Sequence, residues 1–300
     1  MKTLRNPIGL LTLAVVVGLL AAGPSLAQRS VDEKAAADKD GTVTIENIAG
    51  SIRIEGWDKA EVHVTGTLGK EVEELKFKAG GSKTYIKVVY PKKTKNIDEG
   101  ADLVIMVPAG SSLEVECVSA PITVTGVTGD IYASDISGEV TVKGICRELD
   151  LETISGDLTV DGGAAEVSVQ SISGEIKARG GKAEVEAQTV SGDLDLAFDA
   201  FTELSVESVS GDADVTGDLA GDADVSIDLH SGDLTLTVQG DVSADFSIET
   251  FSGDIKNAFG QDAKSTSKYT PGKELEFTVG GGDARVRINT FSGDVVIRKK

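Results

Sequence analysis

The sequence predicts an all-β protein, a parallel β-solenoid (β-helix) of about 18 residues per coil built from nonapeptide strands. The alternative architecture is an antiparallel β-meander or sandwich. Three observations carry the expectation. From Gly110 to Val190 the chain divides into nine consecutive nonapeptides without insertion. Within each one, apolar residues alternate with polar ones. A Ser-Gly-acid signature then recurs every second nonapeptide, at Ser137, Ser155, Ser173 and Ser191.

The alternation separates strand from helix. The fourth position is aliphatic in every frame, as at Val140, Leu149, Leu158, Val167 and Ile176, and the sixth is always apolar. On a helix these two positions would lie about 200° apart, whereas on a strand they share a face. The Val, Ile and Thr content and the glycine punctuation agree with short strands. Position nine is Val or Ile in seven of the nine frames and reads as a further inward site. That places Trp57, ninth in AGSIRIEGW, in the core. A two-strand coil explains the longer period, because equivalent residues then stack at about 4.8 Å. A meander gives no reason for like residues to recur so regularly.

In chain order, residues 1–27 read as a secretory signal peptide. Lys2 and Arg5 precede the apolar run Ile8 to Ala22, and Ser25-Leu26-Ala27 offers a small residue at the cut. The run is short for a retained span of about 20 residues, and no Cys follows the cut to take a lipid. Residues 28–39 carry no strand pattern and read as a tether or short helix. Residues 40–300 form a single repeat domain. It opens with DGTVTIENI, AGSIRIEGW and KAEVHVTGT (59–67) and makes an excursion at 69–109, where Thr84–Tyr90 and Leu103–Val107 are candidate strands. After Val190 the frames continue with small insertions, through Ser210, Ser231 and Ser252, to the final strand beginning at Ser292. A second excursion covers 257–274.

Composition excludes several functions. The chain has 29 Lys plus Arg against 49 Asp plus Glu, a net charge of −20, and losing Lys2 and Arg5 leaves 27 basic residues against 49 acidic. Nucleic acid and anionic membrane surfaces both need a basic footprint, so neither is an expected partner. With 2 His and 2 Cys, neither a three-histidine nor a four-cysteine metal site can form. Aromatics are only 4 % of the chain, so the core must be aliphatic.

Position three carries an acidic ladder: Asp130, Glu139, Glu148 and Asp157, then Glu166, Glu175, Glu184 and Asp193. Calcium-binding nonapeptide repeats share the nine-residue period, but they need several glycines per frame and carry one apolar position. Here aliphatic side chains fill the interior, so the ladder reads as solvated. His63 and His230 are isolated, and the serines follow no nucleophile elbow. Lys92, Lys93 and Lys95 make a small basic run in a loop. A polysaccharide-processing enzyme on a β-helix scaffold would need cations and carboxylates converging in a groove. Arg147 and Lys182 fall on one side of the coil, with Lys177 and Arg179 on the other. Cys117 and Cys146 sit at positions eight and one of separate coils, too far apart for the 4.4–6.8 Å Cα spacing of a disulfide.

The opening TVTIENIAGSIRIEGWD, the segment IMVPAGSSLEVECVSAPITVTGVTGDI and the serial Ser-Gly-Asp strands resemble the DUF4097 family of bacterial envelope proteins. The resemblance covers about residues 40–300 and departs from the usual Ser-Gly at Ser119-Ala120-Pro121. It implies an adhesin-like module and no catalytic residues. The expectation is therefore a non-enzymatic, exported structural or binding module, periplasmic or cell-surface associated. Its partner would be an envelope protein or a glycan. No catalytic, cofactor-binding or metal-binding residue is assigned, and no cofactor is expected. The alternatives are the polysaccharide enzyme and a calcium-dependent repeat protein.

Overall fold

The computed structural model describes residues 29–92, 97–267 and 271–300, and among these every regular element is a strand. The leader at 1–27 lies outside the described residues, as do Lys93 and Lys95 of the basic loop. Most pairings are parallel, and their register reproduces the 18-residue period. Val140 faces Ile122 on one side and Leu158 on the other, and Leu158 in turn faces Ile176. Leu149 faces Ile131 and Val167, and Val167 faces Val185.

Hydrogen bonding thus sorts the strands into two stacks. One runs through Ile122–Thr125, Val140–Lys143 and Leu158–Gly162. The other runs through Ile131–Asp135, Glu148–Thr153 and Glu166–Ser171. The long strands Ile176–Ser191, Leu194–Ser210 and Ala213–Ser231 pass through both, and the 23 strands of the described residues form one sheet. Positions four and six of both stacks meet in one aliphatic core, where Leu149, Leu158, Val167 and Ile176 are buried. Past residue 190 the coils lengthen with bulges near Ala200. The added interior is filled by Phe198 and Phe201, whose ring centroids are 5.5 Å apart.

Three departures from the sequence reading concern the ends. The segment 28–39 is not simply a tether: Arg29–Ala36 is a strand, antiparallel to Glu61–Leu68. The frame at 59–67 does not join the parallel register either, since Glu61–Leu68 runs antiparallel to Ala101–Pro108. An apolar/polar alternation is satisfied equally by either strand direction, so the pattern alone did not distinguish them.

The third departure is the order of the stack. The expected succession of frames to the C-terminus is broken, because Ala284–Ser292 inserts between Ala213–Ser231 and Ala244–Ser252. Ile288 accordingly faces Ile227 on one side and Ile248 on the other. In the companion stack Val295–Lys299 lies between Leu234–Val238 and Ile255–Asn257. The excursion at 257–274 leads into Lys273–Val279, which pairs antiparallel with Ala244–Ser252 and returns the chain. At the other end Thr42–Trp57 lies between the 69–109 excursion and the strands Ser112–Ser119 and Ile122–Thr125. The outer edges of Thr42–Trp57 and Ala244–Ser252 are thus paired with strands of the two excursions, which shields these coils from edge-to-edge association.

Candidate functional site

The acidic ladder lies on the surface, as the sequence suggests, and has a further structural use. Where the Ser-Gly-Asp turns stack, each carboxylate accepts the backbone N–H of the acid one coil on. Asp193 Oδ1 takes the N–H of Asp212 at 2.9 Å, Asp212 that of Asp233, and Asp233 that of Asp294, both at 2.8 Å. Asp294 takes that of Asp254, which an ion pair with Lys273 holds below the usual carboxylate range. Among the described residues no group of three or more His, Cys, Asp or Glu side chains is placed to hold a metal ion.

The other singled-out residues do not converge. Arg147 pairs with Asp130, Lys177 with Glu175 and Arg179 with Asp195, each an acid on the cation's own surface. Trp57 is half-buried rather than in the core. Its indole N–H donates to the Glu61 carbonyl at 2.8 Å, its ring stacks on His63, and the Lys59 ammonium lies 4.3 Å from its centroid. Cys117 and Cys146 are free, buried thiols, and burial pushes them up to about 12 and about 11.

The most developed concavity arises from position nine, read from sequence as inward. In the second stack that position faces out. Positions four, six and eight share a face, so nine belongs with five and seven. Position eight, the last inward site, carries small polar residues such as Asp135, Thr153, Ser171 and Thr189, all buried. Asp135 accepts the N–H groups of Ser137 and Gly138, and Thr153 Oγ1 that of Gly156, so these two secure their turns, whereas Ser171 Oγ and Thr189 Oγ1 are buried without a hydrogen-bond partner.

Position nine then projects an exposed apolar ladder: Ile136, Ile154, Ile172, Val190 and Val209. His230, Phe291 and Phe251 extend it as a ring stack, with centroids 5.0 and 4.9 Å apart and planes within 5°. These apolar side chains are 43–51 % exposed. Position seven supplies the facing wall with Glu152, Gln170, Gln188, Glu207, Asp228 and Asn289. The two rows enclose a groove of about 900 Å³ running across the strands. At about 4.8 Å per rung its eight rungs span about 34 Å.

The groove is acidic. Its lining includes Glu152, Glu207 and Asp228 but neither Lys nor Arg. Beside it, burial and then the Glu152 carboxylate push the Asp150 carboxyl up. The signal for this site is present in the sequence as Val or Ile at an outward parity. The inserted C-terminal strand completes the groove, because Phe291 sits between His230 and Phe251.

A model of the family described as Toastrack DUF4097 matches residues 30–298. No curated protein matches the chain. Among solved structures, one named "Putative lipid binding protein" from Parabacteroides distasonis is 13 % identical over 89 % of this chain and 96 % of its own, with a TM-score of 0.51. A "putative adhesin" from Bacteroides fragilis is 11 % identical over 92 % of this chain and 100 % of its own, at TM-score 0.43. Another from Parabacteroides distasonis is 12 % identical over 90 % and 97 %, at 0.39. Among the described residues no helix is long and apolar enough to cross a membrane.

Proposed function

The chain belongs to the Toastrack DUF4097 family, and from that premise we propose that it is an exported, non-enzymatic binding module of the cell envelope. Its strands wind as a parallel β-solenoid of about 18 residues per coil. Residues 1–27 are the leader removed on export, and residues 40–300 are a single repeat domain carried to the periplasm or cell surface. The apolar ladder from Ile136 to Phe251 is the contact surface for an envelope partner.

The ladder itself carries the reading. A run of exposed Ile, Val and Phe side chains, aligned rung on rung and rimmed by polar residues, is the form an interaction surface takes on a protein. Packing does not require it: the core is already closed by positions four, six and eight. The pairing of Arg147, Lys177 and Arg179 with local acids supports a non-enzymatic role, since these cations do not converge on the groove.

A photo-cross-linking residue at Val190 tests the surface in intact cells, with one at Lys143 on the other stack as control. Adducts forming at Val190 and not at Lys143 are expected. Equal yields, or adducts from Lys143 alone, would refute the assignment of the groove.

A further inference from the structure

We propose that the groove takes a single alkyl chain joined to an amine-bearing head, with the tail along the ladder from Val209 to Ile136 and the head at Glu207 and Asp228. The inference rests on reading the groove as the contact surface and names the chemistry of what fills it.

The groove's direction and repeat select the tail. Because it runs across the strands, the backbone along its floor is already committed to the parallel ladder, where Thr153 faces Ser171 and Thr189 faces Ser208. A peptide therefore cannot add to it as a strand, which requires an open sheet edge. A helix along the groove would advance 5.4 Å per turn against about 4.8 Å per rung, falling about 4 Å out of step over its length. An alkyl chain has no backbone polar groups to satisfy and no repeat to match, and five aliphatic rungs give it about 19 Å of apolar wall.

Charge selects the head. Glu207 and Asp228 lie on consecutive rungs, since they face each other in the register. Asp228 Oδ1 accepts from Asn289 Nδ2 at 2.9 Å. Among the described residues no Lys or Arg pairs with Glu152, Glu207 or Asp228. An ammonium is favoured there and a carboxylate or phosphate monoester repelled.

The test uses the exported protein and three twelve-carbon probes below their micelle concentrations: dodecyltrimethylammonium, dodecyl maltoside and laurate. Titration calorimetry should rank them in that order, with at least a tenfold gap between the ammonium and laurate. Val190→Asp should abolish binding with its strand circular dichroism intact, and Val190→Ala should weaken it. The pair Glu207→Gln with Asp228→Asn should close the gap between ammonium and laurate while retaining the maltoside. The proposal is overturned by no saturable binding of any alkyl probe, by laurate binding as tightly as the ammonium, or by Val190→Asp binding like the wild type. Cross-linking at Val190 without alkyl binding would discard this occupant and leave the surface standing.

Discussion

The carboxylate of Asp193 accepts a hydrogen bond from the backbone N–H of Asp212, one coil further along the stack. The same bond repeats from Asp212 to Asp233. It places like charges about one strand spacing apart, a repulsion of up to about 1 kcal/mol per pair in bulk water. Each hydrogen bond contributes about 1 kcal/mol in the other direction. An amide oxygen can keep the bond without the charge. Asp212→Asn should therefore match or exceed the wild-type melting temperature, while Asp212→Ala, which removes the bond as well as the charge, should be less stable than Asp212→Asn by about 1 kcal/mol. Sodium chloride should raise the melting temperature gradually by screening the ladder. Calcium should add little beyond its ionic strength, and the protein should stay folded in EDTA. Unfolding in EDTA, reversed by micromolar calcium and not by magnesium, would make the ladder a metal site instead.

The glycine before that acid is set by backbone approach. Gly232 has φ of +133°, and a Cβ there would stand 2.0 Å from the Gly211 carbonyl oxygen. Alanine would meet both a disfavoured conformation and a neighbouring backbone that cannot move aside. Gly232→Ala should cost about 3–5 kcal/mol. Gly221 has open space where its Cβ would go, so Gly221→Ala should be neutral or stabilise by up to about 0.5 kcal/mol. Chemical denaturation of the two variants compares them directly, and similar midpoints would contradict the close-approach explanation.

These constraints explain what the sequence made legible. Leu149 and Leu158 are inward because strand alternation admits no other face, and Ser-Gly-Asp recurs because each copy must fit against the last. Truncating Leu149 should cost about 2–5 kcal/mol, whereas truncating Ile154, 45 % exposed, should cost little. In the second stack apolar character at position nine is not sufficient for burial, because strand parity places Ile136, Ile154, Ile172 and Val190 outside, while Val127, ninth in a frame of the first stack, is buried. Trp57, also ninth in its frame, is half-buried, held by its indole N–H bond to the Glu61 carbonyl. The inserted C-terminal coil was not legible at all. Every coil offers its neighbours nearly the same apolar surface, so the pattern that defines a coil does not define its place in the stack.

Burial of the two thiols gives a pH dependence. An unfolded cysteine ionises near 8.5, whereas the folded pKa values are pushed up to about 12 for Cys117 and about 11 for Cys146. Between those limits the native state holds protons that the unfolded chain has released, so stability falls as pH rises. Below about pH 8 this contribution is fully present. Denaturant midpoints should therefore decline from about pH 9 upward, and less steeply in Cys117→Ala. Neither thiol should react with a thiol reagent at pH 8 until the protein is denatured. Rapid labelling of the native protein at either position would show that the burial is not maintained.

Removing residues 283–300 tests the order of the stack. In a repeat array built in sequence order, losing the final coil exposes one new edge and leaves the rest intact. Here Ala284–Ser292 and Val295–Lys299 are the parallel links between the coil before residue 240 and the coil after it. Without them, Ala244–Ser252 retains only its antiparallel partner Lys273–Val279. That hairpin should detach as a unit, leaving Leu234–Val238 as a new edge and the shortened protein prone to associate. Hydrogen exchange should show protection lost over 244–279 and retained in the strands from Ile122 to Ser210. Deleting residues 29–36 should be mild by comparison, because Glu61–Leu68 still pairs with Ala101–Pro108. If the chain ending at Gly282 kept its protection over 244–252, that segment would have to dock directly on Ala213–Ser231, and the insertion would not be what holds this end together.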